Sequence, residues 1–269
     1  MKSPLELYKL LKKTNCRECM LPSCMAFAAA IIQGQKKLTD CPHLDQATID
    51  GLKEDFAPRR SLEDEQQEML GCLKQEISAT DFQEAAKRLD VELKNGKLCI
   101  TCFGKEFRVD AFGGLSSQCH NNLWVQLPLL NYIIHGKGKD LEGNWTSFAE
   151  LRGAADWSRF FSHRCEESIR QLADAHKDLV FEILHLFGAQ PTTGVTNADH
   201  SLIIHPLPKV PFQINYWQPE DGFESKLNIL FDHTAPDNLN VESIYMLARG
   251  IVEMFRELIV KHSKDGELF

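Results

Sequence analysis

The sequence predicts an α+β protein in two parts, a small helical domain over residues 1–55 and a larger domain of mixed helices and antiparallel sheet over 61–269. Three observations lead there. Four of the nine cysteines crowd the amino-terminal end as Cys16, Cys19, Cys24 and Cys41, a C-x2-C-x4-C-x16-C spacing with Pro42 directly after the last. The run Lys53-Glu54-Asp55-Phe56-Ala57-Pro58-Arg59-Arg60 is charged and broken by proline, as linkers are. Beyond it, helical periodicity alternates with short β-rich runs, and Asn95-Gly96 is the strongest hairpin signal in the chain.

Taken in order, Ser3-Pro4-Leu5-Glu6 is a capping box with proline at the first helical position, so a helix follows with Leu7, Leu10 and Leu11 on one face. Pro22 suits the first turn of a second helix. Cys24 then stands near that helix's start, and Gly34 is its stop. Residues 48–52 read as a short turn. Ser61-Leu62-Glu63-Asp64 opens a helix with Leu62, Met69, Leu70, Leu73 and Ile77 inward, and Thr80-Asp81-Phe82-Gln83 opens another with Phe82, Ala85, Ala86 and Leu89 inward. Strands over 91–94, 97–103 and 106–111 form a meander through turns at Asn95-Gly96 and Gly104-Lys105. Leu123, Trp124, Leu127, Leu130 and Ile134 keep helical spacing, with Pro128 expected to kink or delimit the helix and Gly136-Lys137-Gly138 to end it. A short helix over 147–151, long ones over 157–173 and 175–187 closed by Gly188, strands over 201–205, 211–217 and 226–231, and an amphipathic helix over 241–261 complete the pattern.

Four thiolates near one another match a 4Fe–4S cluster, which takes one per iron at the corners of a small cube. A C-x2-C loop brings two side chains to neighbouring corners, Cys24 supplies a third, and the excursion to Cys41 lets the fourth return. Backbone N–H groups at the start of the helix after Cys24 would face an anionic cluster. A structural zinc site is the main rival, but it usually joins two close pairs, whereas here one trio meets one distant partner. A disulfide framework fits less well, since nine is an odd number and no secretory signal is visible.

On those residues, together with Pro22 and Pro42, the stretch 1–45 resembles the small 4Fe–4S domain at the start of the large subunit of corrinoid iron–sulfur proteins and similar domains in electron-transport complexes of anaerobes. The resemblance implies a low-potential electron carrier, often serving corrinoid chemistry. It does not imply that this chain binds a corrinoid. Residues 100–260 also resemble an uncharacterised domain family of anaerobic bacteria and archaea that often follows this cluster domain. That likeness is carried by Phe103-Gly104-Lys105-Glu106, His135-Gly136-Lys137-Gly138, Gly143 to Leu151, Leu207-Pro208-Lys209-Val210-Pro211, Trp217, Glu220-Asp221-Gly222-Phe223 and Ile229-Leu230-Phe231-Asp232. It names no substrate.

Composition is ordinary for a soluble globular protein, with 43% hydrophobic and 25% charged residues. The longest apolar run, Met25 to Ile32, is too short to span a bilayer. Many cysteines without a secretory signal point to a reducing cytoplasm. Of the net charge of −8, residues 1–41 contribute +4 from seven basic and three acidic groups, which leaves −12 for the remainder. An acidic larger domain with no recognisable module argues against nucleic-acid binding. Basic groups around the cysteines offset a cluster's charge and suit an acidic redox partner, although most are equally explained as solvated helix faces.

Other candidates are weaker. Cys99 and Cys102 lie on a strand, where residues three apart face opposite ways, so packed cysteines are expected. Cys119-His120 lies in a loop after Gly113-Gly114 and reads as exposed. Gly136-Lys137-Gly138 lacks the ending of a nucleotide loop, and a helix stop explains it. His200, His205 and His233 flank strands. The four tryptophans, Trp124, Trp145, Trp157 and Trp217, read as core anchors or as part of a pocket for a planar cofactor, and Glu220, Asp221 and Asp232 as turn acids or a general acid–base. Three functions follow: an electron-transfer protein whose larger domain docks a partner or holds a second cofactor such as a corrinoid, a reductive enzyme with substrate near Trp145, Trp217 or Cys119, or an interaction module stapled by its cluster.

Overall fold

The computed structural model describes residues 3–52, 56, 62–119, 121–192, 197–220 and 222–266. The linker apart from Phe56, Ser61, His120 and Asp221 therefore lie outside the described residues. By internal contacts the chain divides into two compact units, Met1–Glu68 and Met69–Phe269.

The first unit opens with helix α1 (Pro4–Leu10), capped by the Ser3–Glu6 box that its sequence announces. Leu7 and Leu11 are buried, but Leu10 is exposed, because the helix ends there and Leu11 turns away in extended conformation. Helix α2 (Cys24–Ile32) starts two residues after Pro22, which was expected inside its first turn. Ser23 is the cap, its hydroxyl accepting from the Ala26 N–H, and Pro22 precedes it. At the other end Gly34, at φ 75°, lets its own N–H reach the Ile31 carbonyl and that of Gln35 reach the Ala30 carbonyl. These are the two bonds that close a Schellman stop. Residues 48–52 are more than a turn, since they belong to helix α3 (Gln46–Leu52). Phe27, Ile31, Leu38, Ile49 and Phe56 join Leu7 and Leu11 in one small core, against which Cys19, Cys24 and Cys41 pack. So small a core benefits from a crosslink.

Helix α4 (Leu62–Ser78) leads into the second unit, burying Leu70, Leu73 and Ile77 while Met69 is partly exposed. Helix α5 (Phe82–Leu89) is capped by Asp81 rather than Thr80, because the Asp81 carboxylate accepts from both the Gln83 and Glu84 N–H groups. An antiparallel meander follows, β1 (Glu92–Lys94), β2 (Lys97–Cys102), β3 (Lys105–Val109) and a fourth strand that the pattern did not announce, β4 (Leu115–Ser117). Helix α6 (Leu123–His135) runs straight through the buried Pro128, which interrupts the ladder without ending the helix. The short strand β5 (Trp145–Ser147) comes next. Helix α7 (Ser158–Phe161), a π-turn over Ser162–Glu166 and α8 (Glu167–Leu186) follow one another, and the break expected between 173 and 175 falls at His176, whose non-helical backbone (φ −141°, ψ 48°) divides α8 into two helices. The second sheet has order β5-β9-β8-β7-β6 and is antiparallel throughout, with β6 (Gln190–Pro191), β7 (His200–Leu207), β8 (Val210–Trp217) and β9 (Lys226–Asp232). Helix α9 (Ala235–Asn238) precedes the long α10 (Val241–Gly266), which buries Ile244, Leu247, Ile251, Phe255 and Ile259. Two antiparallel sheets with helices packed on them make this an α+β fold. Among the described residues no helix is long and apolar enough to cross a membrane.

Candidate metal centre

The segment joining α1 to α2 is built to turn. Lys13, Asn15, Arg17 and Met20 all hold positive φ, from 48° to 65°, although none is glycine. Left-handed residues cost about 1–2 kcal/mol each, so such a run persists only where its surroundings require it. Asn15 tolerates the conformation, and its side chain is also used: Oδ1 accepts the Cys24 N–H at 2.8 Å. That bond ties the loop to the first residue of α2, where backbone N–H groups otherwise lack partners. Cys41 returns in extended conformation after a short 3₁₀ turn (Leu38–Asp40), as a residue before proline must.

Cys16, Cys19, Cys24 and Cys41 line a single recess of about 10 Å³. The other five cysteines of the chain do not line it. Cys16 is exposed and the other three are half-buried. Among the described residues no three of these sulfurs lie within 4.8 Å of one another. Sulfurs gripping one tetrahedral zinc at ~2.3 Å would stand about 3.8 Å apart. Four thiols lining one recess are a donor set that an iron–sulfur group takes.

Sequence reasoning overlooked two neighbours. Cys16 Sγ, a Glu18 carboxylate oxygen and a His43 ring nitrogen all lie within 4.8 Å, and His43 Nε2 stands 3.3 Å from Glu18 Oε2. This mixed set would leave Cys19, Cys24 and Cys41 unused. Asn15 was also missed. An asparagine one residue before a cysteine was its only signal.

Among the described residues, the remaining candidates do not gather into a second metal centre. Cys99 and Cys102 are both buried, and burial drives the Cys102 thiol well above its ordinary value. Cys119 is half-buried rather than exposed. His200 stacks on Phe181 at 4.1 Å, whereas His233 lies 3.4 Å from Glu142 beyond the far end of β9. The tryptophans disperse: Trp124 meets Phe103 edge-on, Trp157 packs on Tyr245, and Lys226 sits over Trp217.

The Gly136-Lys137-Gly138 loop and Asp232 prove to be one structural device. A Cβ on Gly138 would fall 1.8 Å from the Arg88 carbonyl oxygen, and one on Gly136 2.5 Å from that of Tyr132. The Lys137 N–H donates to the Asp237 carbonyl, and the Lys139 N–H to Asn238 Oδ1. Lys209 Nζ donates to the Gly138 carbonyl at 2.8 Å. Asp232 accepts the Glu142 and Gly143 N–H groups, and Thr234 adds its N–H and hydroxyl. Burial opposes the Asp232 charge, but these bonds outweigh it and hold the carboxyl below the usual range. Backbone donors committed in this way do not cradle a phosphate.

Two family models match the chain. One, described as "Putative Fe-S cluster", matches residues 11–43. The other, described as "Domain of unknown function (DUF3786)", matches residues 81–254. Among curated relatives, acetyl-CoA decarbonylase/synthase complex subunit gamma 2 of Methanosarcina mazei is 60% identical over 42 residues, 16% of this chain and 9% of that protein. The corrinoid/iron-sulfur protein large subunit of Moorella thermoacetica is 43% identical over 54 residues, 20% of this chain and 12% of that protein. The chain thus spans only about a tenth of the length of the curated relatives it matches. No solved structure matches.

Proposed function

The chain belongs to the DUF3786 family, with an iron–sulfur domain ahead of the matched residues, and on that premise we propose that it is a redox protein whose Cys16, Cys19, Cys24 and Cys41 hold a 4Fe–4S cluster. The observation that carries the reading is that these four, of nine cysteines, line one recess. When bound, such a cluster accepts and releases one electron at a time at a potential set by its surroundings. The protein's own contribution is positional. Asn15 fixes the amino end of α2, and the left-handed loop keeps Cys16 and Cys19 turned to the recess. Exposure of Cys16 gives the recess an open side, which suits transfer to a docked protein. Lys12 and Arg17 line the recess and favour an acidic partner. The relatives are named as a corrinoid/iron–sulfur protein and as subunits of an acetyl-CoA decarbonylase/synthase complex, and this supports a partner within corrinoid-linked anaerobic metabolism.

Anaerobic reconstitution tests the proposal. The full chain is expected to take up about four irons and four sulfides, to show a broad brown absorption and to bleach with dithionite. A stoichiometric zinc protein without sulfide, or a cluster that dithionite leaves unchanged, would overturn it.

A further inference from the structure

The second unit contains two hairpin turns of the same kind, and their difference points to a site. In both, the two central residues have positive φ, Asn95 and Gly96 at 50° and 73°, Phe103 and Gly104 at 49° and 69°. Asn-Gly is the favoured pair for this turn, and nothing lies within 4 Å of a Cβ on Gly96. Phe-Gly is not favoured, because a bulky residue at positive φ is strained. The strain is held by its surroundings. A Cβ on Gly104 would lie 3.2 Å from the Phe187 carbonyl oxygen, and the Phe103 N–H donates to the His205 carbonyl at 3.0 Å. The ring of Phe103 is thereby laid edge-on against Trp124, 5.7 Å between centroids.

These residues border a cleft of about 340 Å³, at the lower end of the range for small-molecule sites. Its floor is apolar and buried, with Cys102, Phe103, Phe107 and Val125. Trp124 and Phe187 wall it, and the half-buried Cys119 lines it as well. The indole of Trp124 is itself pinned, because a Cβ on Gly250 would fall 2.0 Å from it. Lys105, the residue after the strained turn, and Lys261 of α10 line the cleft together with the single carboxylate Glu257. No carboxylate among the described residues lies within ion-pair distance of either lysine.

The geometry points to this cleft as a binding site for a small, flat, apolar organic anion, whose ring system lies among Phe103, Trp124 and Phe187 and whose charge meets Lys105 and Lys261. The cleft shares no lining residue with the cysteine recess.

The probe is 8-anilinonaphthalene-1-sulfonate, with its neutral analogue N-phenyl-1-naphthylamine, titrated into the folded full chain. One equivalent of the sulfonate is expected to bind with enhanced emission. The double substitution Lys105→Gln and Lys261→Gln should weaken the sulfonate about three- to twentyfold, as loss of two partly screened charge contacts would, and leave the neutral probe within about twofold. Saturating sulfonate should also slow alkylation of Cys119, read by mass spectrometry, without slowing that of the exposed Cys72. If the double variant binds the sulfonate as well as the parent, the anionic class is wrong. If several equivalents bind, or Cys119 is not protected, the cleft is not the site.

Discussion

Replacing Gly138 with alanine separates a structural role for the Gly136-Lys137-Gly138 loop from a phosphate-binding one. Gly138 has φ 68°, so any side chain there first meets the left-handed cost of about 1–2 kcal/mol. The added Cβ would then lie 1.8 Å from the Arg88 carbonyl oxygen and 2.7 Å from its carbon. An ordinary C···O contact is ~3.3 Å, so backbone must part from backbone by about 1.5 Å. Neither partner is the loose end of a side chain. Overpacking of this kind typically adds about 1–3 kcal/mol. We therefore expect Gly138→Ala to cost about 2–5 kcal/mol. For a unit of this size that lowers Tm by roughly 4–20 °C. Lys137→Ala, which removes an exposed ion pair to Asp237, should cost no more than about 1 kcal/mol. All four tryptophans lie in the second unit, so thermal unfolding followed by their fluorescence reports on it directly. A Gly138→Ala protein that melts within about 3 °C of the parent, or a parent stabilised by inorganic phosphate through Lys137, would refute the reasoning.

Cys41→Ser should lower iron and sulfide content severely after anaerobic reconstitution, whereas Cys102→Ser should leave it unchanged; equal loss from both would mean the ligand assignment is wrong. Asn15→Ala loses the bond to the Cys24 N–H and keeps the left-handed strain, so it should speed cluster loss to a chelator more than Asn15→Gly, which loses only the bond. Indistinguishable rates for these two variants would remove strain from the account. Glu150 accepts hydrogen bonds from the hydroxyls of Ser147 and Thr146 and from the Ser147 N–H, which hold its pKa at about 2. A carboxyl lowered on folding stabilises above its ordinary value near 4.5, and the benefit is lost as pH falls from there towards 2. Glu150→Gln should therefore narrow the stability gap to wild type across that window, and a gap of unchanged size from pH 6 to pH 2 would count against it.

Much of the candidate metal centre was legible in the order of residues. Cysteine spacing, a proline after the last of the four cysteines and the cap at Ser3 depend on neighbours a few positions apart, and short-range sterics and hydrogen bonding act over that distance. The Asn95-Gly96 hairpin and the Gly34 and Gly188 stops are of the same kind. Elsewhere tertiary contacts decided. Leu10 obeys helical periodicity and is exposed because its helix stops under it. Pro128 sits buried inside α6 although its ring costs the helix one bond. The short strands β4, β5 and β6 are too brief to leave a pattern and exist because a neighbouring strand supplies their hydrogen bonds.

By itself, the chain's residue order determined that four thiols belong together near one end, that helices and antiparallel strands follow, and that no long apolar span interrupts them. Tertiary structure alone decided how two of the family motifs are held. The Gly136-Lys137-Gly138 loop is held by Arg88, Lys209, Asp237 and Asn238, residues up to about a hundred positions away. Phe103 is held in a strained turn by the backbone of Phe187 and His205. Spacing along a chain encodes which groups can converge locally, whereas a close approach between distant backbones exists only once the chain has folded and excluded the alternatives.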